Sequence, residues 1–312
     1  MWRIATMADR NEIIMIGPKN KTALRESFGS WLFLSPALIA VLLFLILPAG
    51  YVAYISLFQS TIVNPTNRYI GLANYGSLLR SASFGNAMIH TIVFAIGVTI
   101  VVVSMGLALA VQLDKNLRGT RAFRVIFFLP YVFPLVSSGL AFMWLLQPQY
   151  GLLDSLLTRL GLPAVNWLGN VHTALLMVIA VTIWEYLGFY MLIFLGGLQA
   201  VDVNIKEAAA VDGATNRTIF WRVVIPSISP SLFFALVISV VQAFQAFDQI
   251  YIMTQGGPVT ATTTLTYYIY TQGFQFFNMG KASAVAVLLL ILLTGLTFLQ
   301  FLLGKKWVVI DN

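Results

Sequence analysis

Two carboxylic acids, Glu185 and Asp248, fall inside long apolar runs of the chain. Burying a charge in hydrocarbon is expensive, so an ionisable group in such a run is a functional candidate by default. Glu185 stands in Trp184-Glu185-Tyr186, and Tyr190 follows one helical turn further on. The acid could accept hydrogen bonds from solute hydroxyls while the two tyrosines offer faces for stacking. The plainer alternative is a hydrogen bond between helices. Gln242, Gln245, Asp248 and Gln249 recur at spacings of three and four, which puts them on one helical face. A polar stripe on an otherwise apolar helix faces a wet cavity or partner helices. Glu185 and Asp248 could also pass protons, the chemistry of a proton-coupled secondary transporter.

Other chemistries are poorly represented. Neither Gly280-Lys281 nor Gly304-Lys305 has a glycine five positions earlier, so no phosphate-binding P-loop is present. Two histidines, His90 and His172, and no cysteine make a metal site improbable. No Ser/His/acid set stands out. The expectation is a chain with no catalytic residue, no metal and no cofactor of its own.

The elements that must position these residues are membrane spans. Of 312 residues 59% are hydrophobic and 9% charged, against about 25% charged in soluble domains. Apolar runs long enough to cross a bilayer lie near 31–58, 87–112, 122–146, 174–200, 232–254 and 282–304. The predicted fold is an all-α integral membrane protein of six transmembrane helices, occupying 31–304 between tails 1–30 and 305–312. Pro36 and Pro48 predict a tilt or kink in the first span, and Pro130 and Pro134 a broken hydrogen-bond ladder in the third.

The net charge of +7 reports loop orientation rather than nucleic acid. With the N-terminus inside, fourteen of the 18 Lys and Arg residues fall in inside segments, leaving Arg68, Arg80, Arg159 and Lys281 outside. The positive-inside rule therefore predicts that both termini and the segment 202–231 are cytoplasmic. On the outer side, Leu152, Leu153, Leu156, Leu157 and Leu160 are spaced as an interfacial helix. That helix is also a candidate docking surface for an extracellular binding protein.

Segment 202–231 is polar, yet it lies between two apolar runs. Asn204 is placed to cap a helix, with Glu207 three residues on as in a capping box. Ala208, Ala209 and Ala210 favour helix, and Gly213 suits a left-handed C-cap. A second helix restarts at Thr215, with Ile219, Phe220, Val223 and Val224 as its apolar stripe, and Pro226 and Pro230 are expected to stop it.

The order Glu207-Ala208-Ala209, Asp212-Gly213-Ala214, Phe220, Pro226 and Pro230 resembles the EAA loop of ABC importer permeases, in the subfamily that carries sugars and related solutes. Ile225-Pro226 stands where that family has Leu-Pro. Gly71-Leu72-Ala73-Asn74-Tyr75 resembles the family's GLxNY segment. Thr254-Gln255-Gly256-Gly257-Pro258 with Thr262-Thr263-Thr264 is similar to its last outer loop, and Ser35-Pro36-Ala37 to Pro48-Ala49-Gly50 resembles the first of its two permease subunits. The resemblance runs from about residue 31 to residue 304.

It implies a type I ABC importer transmembrane domain in a bacterial or archaeal inner membrane, moving a carbohydrate by ATP-driven alternating access. Glycerol 3-phosphate or its diesters are the alternative solute. It also implies a second, different permease, two copies of a cytoplasmic ATPase that use ATP and Mg, and a solute-binding protein. Glu207, Ala208, Ala209, Asp212, Gly213 and Ala214 would form the joint with the ATPase. Asp248 matches a position typical of the family, whereas an acid at Glu185 does not.

Overall fold

The computed structural model describes residues 34–61, 68–115 and 119–309. The tail predicted over 1–30 and the last three residues of the tail predicted over 305–312 lie outside the described residues. The chain divides into two compact units, Met1–Tyr51 and Val52–Asn312.

Helix α1, Leu34–Ile55, is followed by a short antiparallel pair, β1 (Phe58–Gln59) and β2 (Arg68–Tyr69), in the register Phe58 to Tyr69 and Gln59 to Arg68. Then come α2 (Ala73–Leu79), α3 (Ala82–Asp114), α4 (Thr120–Val132), α5 (Leu135–Leu145), α6 (Leu152–Arg159) and α7 (Ala174–Ala200). The charged segment forms α8 (Val203–Val211) and α9 (Asn216–Ile219), which continues through a π turn, Phe220–Val224, into Ile225–Ser227. Helices α10 (Ser229–Phe244), α11 (Asp248–Met253), α12 (Leu265–Tyr270) with a π turn at Thr271–Gln275, and α13 (Met279–Gly304) complete the order.

Among the described residues, five helical stretches are long and apolar enough to cross a membrane: Leu34–Ile55, Ala82–Asp114, Ala174–Ala200, Ser229–Met253 and Met279–Gly304. The third predicted span is instead two helices, α4 and α5, meeting at 97°. It makes a sixth crossing if both arms are taken together. Pro134 lies at the bend with extended ψ, and Phe133 before it is forced out of the α region, as a residue preceding proline is. Pro130 sits inside α4 without ending it.

Two prolines are absorbed in one way. In α1 the Leu47 N–H bonds Leu42 O, and in the second half of the elbow Ile225 N–H bonds Phe220 O. Each bond closes a wide π turn one residue before a proline, Pro48 and Pro226. The extra residue gives the ring room against the preceding turn, where an α-helix would clash. The expectation that Pro226 and Pro230 stop the second helix is therefore corrected. Both sit in the first turn of the next helical segment, where the missing N–H has no partner to lose.

The core is built on α3 and α7. Phe94, Val98, Val102 and Ala110 recur every four or eight residues on α3 and are buried, as are Val178, Tyr190, Met191 and Phe194 on α7. Gly97 meets Ile179, and Gly106 meets the backbone at Tyr190 and Met191. Contacts advance together along both helices, so α3 and α7 run parallel. Their N-termini share one end of the bundle, and the elbow that follows α7 lies at the other. Small residues at the crossing let the backbones approach, which is how helices associate where lipid removes the hydrophobic drive.

Two further segments between the helices are tied down by buried polar side chains. Asn74 of Gly71-Leu72-Ala73-Asn74-Tyr75 is buried, and its Nδ2 donates to Ser56 O (2.8 Å) and Phe58 O (2.9 Å). Those carbonyls follow the end of α1 and have lost their helical partners. The predicted interfacial helix is α6. Its Asp154, 1% exposed, accepts Gln149 N–H at 2.9 Å and Val165 N–H at 3.1 Å, so one carboxylate ties both flanks of the helix together. These two bonds hold the Asp154 carboxyl below the usual carboxylate range.

Candidate functional site

The elbow is the first of two candidate sites. Asp202, not Asn204, caps α8: its Oδ1 accepts both the Asn204 N–H and the Asn204 side-chain amide at 2.9 Å. A charged acceptor opposite the helix N-terminus is the stronger cap, and it moves Glu207 out of capping-box register. Glu207 is exposed, and its side chain makes no hydrogen bond or ion pair among the described residues.

The helix ends as the sequence predicts. Gly213 has φ +81, Gly213 N–H bonds Ala210 O (3.1 Å), and Ala214 N–H bonds Ala209 O (3.0 Å). That is the paired bonding of a Schellman motif, with glycine where a side chain would be strained. Thr215 then caps α9 by accepting the Thr218 N–H. Glu207, Ala208, Asp212 and Gly213 are exposed and Ala209 and Ala214 half-buried, while Val211 is 88% exposed. The elbow thus presents apolar and acidic side chains outward on a backbone whose bonds are closed internally.

The second candidate lies at mid-helix on α7. Glu185 is 1% exposed. Its Oε2 accepts Gln249 Nε2 at 3.4 Å, and its Oε1 has no partner among the described residues. Tyr190 Oη donates to Gln242 Oε1 at 2.8 Å. Tyr131, from the last turn of α4, stacks on Phe189 with centroids 4.6 Å apart and meets Tyr186 edge-on at 6.0 Å. Gly188 allows this approach, because a Cβ there would overlap the Phe127 carbonyl.

Of the polar stripe expected along the fifth span, only part gathers here. Helix α10 ends at Phe244, so the three-and-four spacing loses its phase across the break at 245–247. Gln242 and Gln249 reach α7. Gln245 is exposed and lines a separate cleft with Leu293, Thr294 and Thr297 of α13. Asp248 starts α11, where an acid suits the positive end of the helix.

The break has a polar support that sequence reasoning missed. Thr264 Oγ1 donates to Ala246 O (3.3 Å) and Thr266 Oγ1 to Phe244 O (3.2 Å), satisfying carbonyls freed where α10 stops. Thr91 Oγ1 of α3 receives the Leu265 N–H at 2.8 Å. Thr262 and Thr263 spend their hydroxyls on Gly257 O and Gly256 O. The triple threonine therefore has a structural task, closing the loop and the helix break. A run of hydroxyls in an otherwise apolar stretch was the available signal. Tyr131 could have been found from its place between Pro130 and Pro134.

Broken helices at membrane depth occur where backbone is buried in protein or lines a cavity. Here the α4–α5 bend and the α10–α11 break flank one buried acid, the buried Gln249, the half-buried Gln242 and three tyrosines. Such a cluster can exchange hydrogen bonds with a hydroxylated molecule and stack against its rings.

Comparison with known proteins identifies this architecture. Residues 102–309 match the family described as binding-protein-dependent transport system inner membrane component. The chain is 32% identical over 279 residues to an sn-glycerol-3-phosphate transport system permease of Agrobacterium fabrum, covering 88% of this chain and 94% of the relative. It is 30% identical over 289 residues to a trehalose/maltose transport system permease of Thermococcus litoralis, covering 92% and 97%. In fold it resembles a chain of a bacterial alginate ABC transporter, with a TM-score of 0.81, 22% identity, and coverage of 91% of this chain and 96% of the other. The chain therefore belongs to the family of inner-membrane permease components of binding-protein-dependent transport systems, and it has the transmembrane fold of the ABC importers.

Proposed function

We propose that this chain is the first-type permease of a carbohydrate ABC importer in a bacterial or archaeal inner membrane, with both termini and the elbow cytoplasmic. It works beside a second, different permease, two copies of an ATPase that binds ATP and Mg, and a solute-binding protein on the outer side. The observation that carries this reading is the elbow. Its acid and apolar side chains face outward between two spans, and Gly213 closes its backbone without outside help. ATPase closure would push on that rigid joint and rock the helices that follow it.

For the solute, the mid-helix cluster favours a neutral polyhydroxylated molecule. Glu185, Gln242, Gln249 and the tyrosines supply acceptors, amides and ring faces, and none of these side chains is a Lys or Arg that would pair with a phosphate. The second reading, glycerol 3-phosphate, is favoured by the name of the Agrobacterium relative. Proton coupling through Glu185 and Asp248 is set aside, because it gives the elbow no role.

The test is reconstitution with the partner subunits and binding protein, comparing wild type with Glu207→Ala and Gly213→Asp. Wild type is expected to link solute uptake to ATP hydrolysis. The variants are expected to lose the ATPase on co-purification or to hydrolyse without uptake. Variants that match wild type in both would remove the elbow from coupling. Uptake of glycerol 3-phosphate in place of neutral sugars would select the second solute.

A further inference from the structure

At the end of the bundle opposite the elbow, two adjoining cavities of about 460 and 490 Å³ share Asn86, Val259 and Thr260. Their size is that of small-molecule sites, which run from about 300 to 1,000 Å³. The loop between them is strained. Gln255, Val259 and Thr260 have φ of 49, 57 and 116°, and a β-branched residue at positive φ is a costly outlier. The loop is held there by the buried threonines, whose hydroxyls are all spent on other groups.

By contrast, the side-chain amides of Asn86, Gln255 and Gln272 on the cavity wall make no hydrogen bond among the described residues. Each amide carries donors and an acceptor, a match for neighbouring hydroxyls that both give and take hydrogen bonds. The buried rings of Tyr267 and Tyr268 form an apolar wall beside them. Among the described residues, none of those lining the 460 Å³ cavity is charged.

We propose that this cavity is a binding site of its own for the solute, separate from the cluster around Glu185, and that it takes a neutral polyhydroxylated molecule as it comes off the binding protein. The strained loop fixes the aperture, and the free amides of Asn86 and Gln272 read hydroxyl pairs against the tyrosine wall. The proposal rests on the reading of the chain as a carbohydrate permease, which puts this end of the bundle outside.

The experiment uses the assembled transporter in lipid nanodiscs and proteoliposomes, with radiolabelled maltose and trehalose and with sn-glycerol 3-phosphate as the anionic arm. Asn86→Leu and Gln272→Leu are expected to raise KM for sugar uptake about three- to tenfold each, as loss of one neutral hydrogen bond does. Because the chain has no cysteine, Thr260→Cys adds a readout independent of transport. Sugar should slow its modification by an impermeant maleimide, and Arg80→Cys, exposed at the same end of the bundle but outside the cavity, should show no protection. Sugar uptake with unchanged KM in both leucine variants and no protection of Thr260→Cys overturns this site and leaves the carbohydrate reading standing. Wild type that moves glycerol 3-phosphate and neither sugar overturns both.

Discussion

Replacing Gly188 and Gly196 by alanine, one at a time, is expected to move stability in opposite directions, although both lie inside the same helix, Ala174–Ala200. Alanine gains about 1 kcal/mol over glycine in a helix interior, and that gain applies equally at both sites. At Gly196 an added Cβ meets nothing within 4 Å, so the gain stands alone. At Gly188 the Cβ would overlap Phe127 O and come within 2.7 Å of Phe128 Cα. The obstacle is backbone, so no side chain can rotate away and α4 itself must retreat. Overpacking of that kind costs about 1–3 kcal/mol. The propensity term cancels between the two variants, so their difference measures the α4–α7 contact directly, at about 1–3 kcal/mol with Gly188→Ala the less stable. Denaturant titration of the detergent-solubilised full chain, followed by loss of helical circular dichroism, measures it. Retreat of α4 would also pull Tyr131 off Phe189, now 4.6 Å away, so Gly188→Ala should lose uptake while Gly196→Ala keeps its fold intact. Equal stabilisation of both variants would refute close packing of α4 on α7 at this point.

Thr264→Val keeps shape but strips the hydroxyl that serves Ala246 O and caps the Tyr267 N–H; leaving the buried carbonyl unpaired should cost about 1–3 kcal/mol in the same titration, and a neutral result would deny the threonine its role at the break. Asp154 gives a pH prediction. Its folded pKa lies below the unfolded value near 3.8, so its contribution is fully present above that value and is lost as pH falls through the lower folded one. Limited proteolysis of the segment 147–173 should therefore accelerate below about pH 4 in wild type, and Asp154→Asn should be cleaved readily at neutral pH with little further change on acidification. Wild type and Asp154→Asn cleaved alike at pH 7 would dismiss the staple.

Local chemistry made much of this protein readable from its sequence alone. Apolar run length fixed the helix Ala174–Ala200 to the residue, because a helix in lipid must satisfy its own backbone and so persists as long as its side chains tolerate hydrocarbon. Gly213 marked the elbow for the same kind of reason: a left-handed C-cap is a property of one residue. The resemblance carried by Glu207 to Pro230 likewise needed only order along the chain. Where the sequence reading failed, two neighbours competed. Asp202 displaced Asn204 as cap because a carboxylate outbids an amide two residues away. Pro226 and Pro230 did not stop the chain because a π turn and a helix start absorbed them.

Tertiary structure alone decided the sites. The four polar residues of the fifth span share a face only if the helix runs unbroken. Its end at Phe244 is stabilised by hydroxyls at Thr264 and Thr266, some twenty residues later. Tyr131 joins Tyr186 because Gly188 lets another helix's carbonyl approach, and the amides of Asn86 and Gln272 meet across a cavity although 186 positions separate them in the chain. A sequence records which groups each residue carries and how its nearest neighbours bond. Which distant carbonyl a hydroxyl satisfies, and which amides are left free to meet a solute, is settled only when the helices have packed.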